Sequence, residues 1–217
     1  MSTLLMTEPV QLGSLALPGD LVIPPQAMGL VMFVHGSGSG RRSPRNRWVA
    51  AALQKHHLAT LLFDVLTEEE AQDPRQVFNI DLLARRVVEA IQWTDHHPDL
   101  AHLRLGLLGA STGAAAALAA AAVRPDRVAA VVSRGGRPDL AMACLPRVQA
   151  PTLMILGGLD TDVLALNRLA LRQLHAHKRL EVVPNAGHLF EEPGALGSVA
   201  VFAASWFEQH LCAGRRA

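Results

Sequence analysis

The chain has 217 residues, half of them hydrophobic, and its 20 Lys and Arg nearly balance 19 Asp and Glu for a formal net charge of +1. That length suits one α/β domain with a sizeable core and leaves little room for a second, so residues 1–217 are read as a single domain. Charges of both signs are interspersed without a basic stripe, which speaks against nucleic-acid binding.

Only two cysteines occur, Cys144 and Cys212. They supply neither a disulfide framework nor a paired-thiol metal site, and they read as reduced thiols of a cytoplasmic protein. The opening MSTLLMTEPVQLGSLALPGD has no charged start, long apolar stretch and small-residue cleavage site in succession, so a secretory leader is not expected. The longest apolar run, Gly113–Val123, is too short to span a bilayer and reads as a buried helix.

In chain order, Val10–Leu17 and Asp20–Pro24 flank Pro18-Gly19, which predicts an opening hairpin turning at that dipeptide. Short apolar runs then alternate with helical patterns. The runs are LVMFVH (30–35), ATLLFDV (59–65), LRLGLLG (103–109), VAAVVS (128–133), PTLMILG (151–157) and RLEVVP (179–184). Strands that are apolar throughout, instead of on alternate residues, belong to a parallel sheet covered by helices on both faces. Ser43-Pro44 supplies a cap and a first-turn proline for a helix reaching about His56. Ile80, Leu83, Val87, Val88 and Ile91 recur at helical spacing within Asn79–His96. Further helices are expected over Val163–His175 and Pro193–Leu211, and the alanines of 114–122 would let their helix approach the strands closely.

The strongest chemical signal is Gly109-Ala110-Ser111-Thr112-Gly113, lying between a predicted strand and the alanine-rich helix. A sharp turn there would strain the serine backbone and hold its hydroxyl above the carboxyl edge of the sheet, with glycines where a Cβ would collide with strand and helix. The plain alternative is Ser111 as an ordinary helix cap. A serine hydroxyl needs a base, and the base an orienting acid. Asp160 follows PTLMILGG, and His188 follows the last strand in Asn185-Ala186-Gly187-His188, so the order is Ser, Asp, His, each beyond the end of its own strand.

Ten histidines are present. His56, His57, His96 and His97 fall at helix ends, and His175 and His177 stand two apart on a predicted helix, where they cannot form an i, i+4 metal pair. Asp162, just before Val163 and Leu164, is expected to cap that helix. His35-Gly36-Ser37-Gly38-Ser39-Gly40 can aim backbone N–H groups at a developing negative charge, and the amides of Ser37 and Thr112 are assigned as the two oxyanion donors. A glycine-rich loop after a strand, followed by a helix and a strand ending at Asp64, also resembles a dinucleotide-binding unit, but Arg41 stands where its third glycine belongs.

These segments, HGSGSGRRSPRN, LLFDVLTEEE, LGASTGAAAAL, GGLDTDV and NAGHLFEEPG, resemble the α/β-hydrolase superfamily and within it the dienelactone-hydrolase-like branch. The resemblance implies an α/β-hydrolase fold, hydrolysis of an ester, thioester or lactone through an acyl-enzyme, and no metal or organic cofactor. Dienelactone hydrolases proper use a cysteine where Ser111 stands here, which makes ordinary esterase activity expected. Between Arg137 and Ala150 there is too little chain for a lid domain, so an open cleft for a small-molecule acyl substrate is anticipated, without nucleic acid or membrane as partner. Arg134, in VSRGGRPDL, could face that cleft and bind a substrate carboxylate, or cap nearby carbonyls. A catalytically silent ligand-binding protein on the same fold and a dinucleotide-dependent oxidoreductase are the rival functions.

Overall fold

The computed structural model describes residues 5–212. Eight strands form one sheet: β1 (Glu8–Leu12), β2 (Leu17–Val22), β3 (Gly29–Val34), β4 (Leu58–Phe63), β5 (Leu105–Ala110), β6 (Val128–Arg134), β7 (Thr152–Gly157) and β8 (Lys178–Val183). Their spatial order is β1-β2-β4-β3-β5-β6-β7-β8. The first two pairings, β1 with β2 and β2 with β4, are antiparallel, and all the others are parallel.

Six helices accompany them: α1 (Pro44–Lys55), α2 (Pro74–Val77), α3 (Ile80–His96), α4 (Thr112–Val123), α5 (Thr161–Gln173) and α6 (Ala195–Leu211). The sheet divides the core in two. On one face Leu30, Met32 and Val34 of β3 belong to a core cluster shared with α3, α4 and α5, and on the other Val31 and Phe33 belong to one shared with α1 and α6. Central strands buried on both faces explain why their sequences read as unbroken apolar runs. Ser43 caps α1 by accepting the Asn46 N–H at 3.4 Å, and Asn79 caps α3 by accepting the Leu82 N–H at 3.1 Å. Each such cap stabilises its helix by about 1 kcal/mol.

The opening hairpin exists, but its turn is Gly13–Ala16, closed by the Ala16 N–H on the Gly13 carbonyl at 3.2 Å. Pro18 and Gly19 lie inside β2, pairing with Gln11 and Val10. The glycine there answers to space: a Cβ on Gly19 would stand 2.7 Å from Leu12 Cδ1 and 2.9 Å from Val10 Cγ2. Similarly, α5 stops at Gln173, so His175 and His177 sit in the connection to β8 and not on a helix. Residues Pro138–Arg147 form a 3₁₀ segment packed against α4 and α5. Among the described residues, no helix is long and apolar enough to cross a membrane.

Candidate active site

Ser111 stands between β5 and α4 with φ 51° and ψ −123°, a conformation that L-residues rarely adopt and that costs about 1–3 kcal/mol. The flanking glycines let the turn close. A Cβ on Gly109 would lie 2.4 Å from Ala114 Cα, and one on Gly113 would lie 2.2 Å from the Val34 carbonyl oxygen. Small side chains continue the fit, since every residue of Thr112–Ala121 is buried. Ser111 makes no side-chain cap bond to α4, so its hydroxyl is not spent as a helix cap.

The other two candidates meet directly. His188 Nδ1 and Asp160 Oδ2 are 2.7 Å apart, in a partly buried pair. The contact depends on glycine again, because a Cβ on Gly157 would lie 2.3 Å from the Ala186 carbonyl oxygen and hold the β8 loop away from the β7 turn. That loop is pinned by the Gly187 N–H donating to Glu192 Oε1 at 2.8 Å and by buried Phe190. Asp160, not Asp162, occupies the cap position of α5, and it makes no cap bond because its carboxylate faces His188. Asp162 falls in the helix's first turn, where a negative charge favours the dipole without closing a cap.

His188 and Ser111 line one cavity of about 200 Å³, together with Ser37, Arg45 and Arg134. Among the described side chains, no hydrogen bond joins Ser111 to His188, a looseness common where no substrate tightens the site.

The loop after β3 presses on the elbow: a Cβ on Gly36 would stand 2.7 Å from the Ala110 carbonyl oxygen and 2.9 Å from Ser111 Cβ. Ser37 and Thr112 are thereby brought together, with the Ser37 N–H donating to Thr112 Oγ1 at 3.0 Å. His35 locks this loop in place. Its Nε2 accepts the Val65 N–H at 3.0 Å, which puts the ring proton on Nδ1, 3.0 Å from the Gly36 carbonyl it donates to. Burial pushes the His35 imidazole below its ordinary value, outweighing the Gly36 carbonyl and Asp64. Asp64, which a dinucleotide-binding unit would keep for a ribose, is held by Arg41 through Nη1 at 2.6 Å and the backbone N–H at 2.7 Å.

Arg134 ends β6 and is only 8% exposed. Its guanidinium caps no carbonyl; it donates to Asn46 Oδ1 at 3.0 Å, and Nη1 is buried without a partner. Among the described residues no carboxylate lies within 4.0 Å of it. Burial, reinforced by the like charge of Arg45, pushes its pKa down to about 10. Asn46, Arg45 and the locking role of His35 carry no sequence signal, because nothing in SPRN or HGSGSG shows which strand end they reach. Among the described residues no group of three or more His, Cys, Asp or Glu is placed to hold a metal ion.

The profile of the dienelactone hydrolase family matches residues 64–210. A dienelactone hydrolase from Anabaena variabilis ATCC 29413, known from its crystal structure, is 55% identical, superposes with a TM-score of 0.92, and matches over 95% of this chain and 98% of that one. Est1E from Butyrivibrio proteoclasticus, at 13% identity and a TM-score of 0.79, covers 94% of this chain and 98% of its own and shares the fold. A relative from Mycobacterium tuberculosis (strain ATCC 25618 / H37Rv), provisionally named a phosphoribosyl transferase, is 51% identical over 210 residues, which are 96% of this chain and 47% of that protein. The chain therefore spans about half the length of the curated relatives it matches. With a family profile across most of the sequence and a structural counterpart at 55% identity over 95% of the chain, the chain belongs to the dienelactone hydrolase family and has the α/β-hydrolase fold.

Proposed function

We propose that this chain hydrolyses small esters, thioesters or lactones through an acyl-enzyme, with Ser111 as nucleophile, His188 as general base and Asp160 as the acid that orients it. The observation that carries this reading is the 2.7 Å contact between His188 Nδ1 and Asp160 Oδ2, made beside the cavity that His188 shares with a strained Ser111. A carboxylate on Nδ1 fixes the tautomer whose Nε2 can take a proton. Ser111 Oγ attacks the acyl carbon as His188 accepts its proton, and the carbonyl electrons move onto oxygen. The amides of Ser37 and Thr112 are the donors for that oxyanion, the Ser37 N–H turning to it from the Thr112 hydroxyl to which it donates at 3.0 Å in the free protein. The C–O or C–S bond then breaks, and the leaving group takes the proton from His188. Water, deprotonated by His188, releases the acid and restores Ser111. The products are one acid and one alcohol or thiol per water consumed, with no cofactor in the scheme.

A cytoplasmic setting is part of this reading, with Cys144 a free thiol. The provisional phosphoribosyl transferase name belongs to proteins about twice this length.

A fluorophosphonate probe tests the reading. One covalent adduct on Ser111 is expected, found by peptide mass spectrometry, with loss of p-nitrophenyl acetate hydrolysis in labelled protein and in Ser111→Ala. Labelling that persists in Ser111→Ala would refute the nucleophile assignment, and failure of the native protein to turn over any ester, thioester or lactone would leave the ligand-binding alternative.

A further inference from the structure

The inward side of α5 places Ala170 and Leu171 in the core, and one turn before them stands Asn167, fully buried. An amide there does not serve the helix. Asparagine is a poor helix former, and the Asn167 Oδ1 is buried without a hydrogen-bond partner, a loss that an apolar chain would avoid. Its use lies on the nitrogen. Nδ2 donates at 2.8 Å to the Val163 carbonyl, one turn back on the same helix, and at 2.8 Å to the Gly136 carbonyl in the loop after β6. Two carbonyl acceptors fix which way the amide faces, since turning it over would set oxygen against oxygen. The first bond locks the side chain, and the second reaches across 31 positions.

The loop it reaches touches both Ser111 and His188. On one side the Arg137 N–H donates to the Ser111 carbonyl at 3.0 Å and the Ser111 N–H donates to the Arg134 carbonyl at 3.2 Å, so the strained elbow is clasped by both of its peptide groups. On the other side Gly135, at φ 52°, lies so near His188 that a Cβ would stand 3.1 Å from the histidine carbonyl oxygen and 3.6 Å from its ring Cε1. Gly136 has no slack either, because a Cβ there would stand 1.9 Å from Ser133 Oγ and 2.6 Å from Ala114 Cβ. The helix that carries Asn167 begins at Asp160, whose carbonyl accepts the Leu164 N–H at 2.9 Å. Asn167 therefore ties the element bearing the acid to the loop that contacts the serine and the histidine.

We propose that Asn167 is a positioning residue: through the Gly136 carbonyl it holds residues 135–137 in the register that keeps Ser111 and His188 aligned with Asp160. Its amide acts through the loop and not on the reacting atoms. The inference rests on the hydrolase reading and adds to it the group that keeps three separate strand ends in one arrangement. Among the described side chains no hydrogen bond joins Ser111 to His188, so proton transfer requires the two to close on each other. A loop released from Asn167 lowers the fraction of bound substrate that meets an aligned pair, and leaves the binding of substrate as it was.

Asn167→Leu and Asn167→Ser test it, assayed with p-nitrophenyl acetate and counted per active site by the fluorophosphonate bound at completion. Leucine removes the donor and keeps the bulk. Serine is short enough to bond only within its own helix and, because it removes few atoms, carries the test should the leucine variant fail to fold. Both variants are expected to lose kcat tenfold or more per labelled site with KM within threefold of native, and the saturating rate of probe reaction should fall in step. Counting by adduct leaves out unfolded protein, so a residue that served stability alone would lower Tm and keep kcat per site. A smaller loss of kcat per site, or a loss carried by KM, overturns the proposal. A Ser111 adduct with native turnover in both variants would sink this inference alone, whereas a native protein giving neither adduct nor turnover would sink the hydrolase reading beneath it.

Discussion

At the amino edge of the sheet, Arg124 and Arg127 converge on Asp95, at 3.1 Å and 2.5 Å, and Arg124 also grips Asp126 at 2.8 Å. At the carboxyl edge, Arg134 is more deeply buried and has one neutral partner. Asp126, Asp95 and their hydrogen bonds raise the Arg124 pKa, while desolvation and Arg45 lower that of Arg134. Where α4 ends, charge is paired and the backbone regular; where it begins, charge is orphaned and Ser111 is strained. The difference is informative because neither feature at the carboxyl edge stabilises the fold. Perturbed ionisation and strain concentrated in one cavity are the physical marks of a site arranged for chemistry.

The largest expected effect sharpens that contrast at the carboxyl edge. Asp160→Asn should lower kcat by about 10⁴-fold while the protein stays folded, because the amide favours the wrong imidazole tautomer. Asp162→Ala, two residues on, removes only a first-turn charge worth about 0.3–1 kcal/mol and should keep most of the rate. Turnover and Tm measured on both variants check the pair, and the reverse pattern would move the acid to Asp162.

Next in size is an opposition of sign between the two edges. Asp95→Ala strips both amino-edge arginines of a shared partner and should lower stability by about 1 kcal/mol, a few degrees in Tm, with catalysis intact. Arg134→Met replaces an unbalanced buried cation by an apolar chain and should raise stability by about 1 kcal/mol, reduced by what Asn46 loses. If both variants lose stability alike, the two arginine environments are equivalent and the comparison fails.

The smallest effect concerns pH. His35 is neutral in the folded state with its pKa lowered by burial, so below about pH 6.5 the unfolded chain binds a proton that the folded chain resists. Its contribution is fully present above the unfolded value and is lost as pH falls from there toward the lower folded value. The slope is at most about 1.4 kcal/mol per pH unit. Chemical denaturation between pH 8 and pH 5 should show it, and His35→Gln should flatten it; a slope unchanged in that variant would assign the effect to another group.

Much of this architecture is legible in the residues because burial repeats locally. LVMFV and LMIL are apolar at every position since β3 and β7 are covered on both faces, and Ile80 to Ile91 trace the buried face of α3. Single landmarks mislead where a residue type has two physical uses. Pro18-Gly19 has turn chemistry, yet Gly19 is there because Val10 and Leu12 crowd it. Asp162 has cap chemistry, yet α5 starts two residues earlier than Val163, at Thr161, and leaves Asp160 in the cap position with its carboxylate free for His188.

Sequence alone determined the strand and helix alternation, the glycine-flanked Ser111 and the order Ser111, Asp160, His188, because each depends on neighbours within one or two turns of chain. Tertiary structure decided how distant parts meet: Arg134 with Asn46 across 88 positions, His35 with Val65 across 30, and Ser37 with Thr112 across 75. Such contacts follow from strand order and from the closeness that glycine permits at Gly36, Gly113 and Gly157. Whether a buried charge is balanced depends on every group around it in space, and for Arg134 that sum could be taken only once the sheet had closed around it.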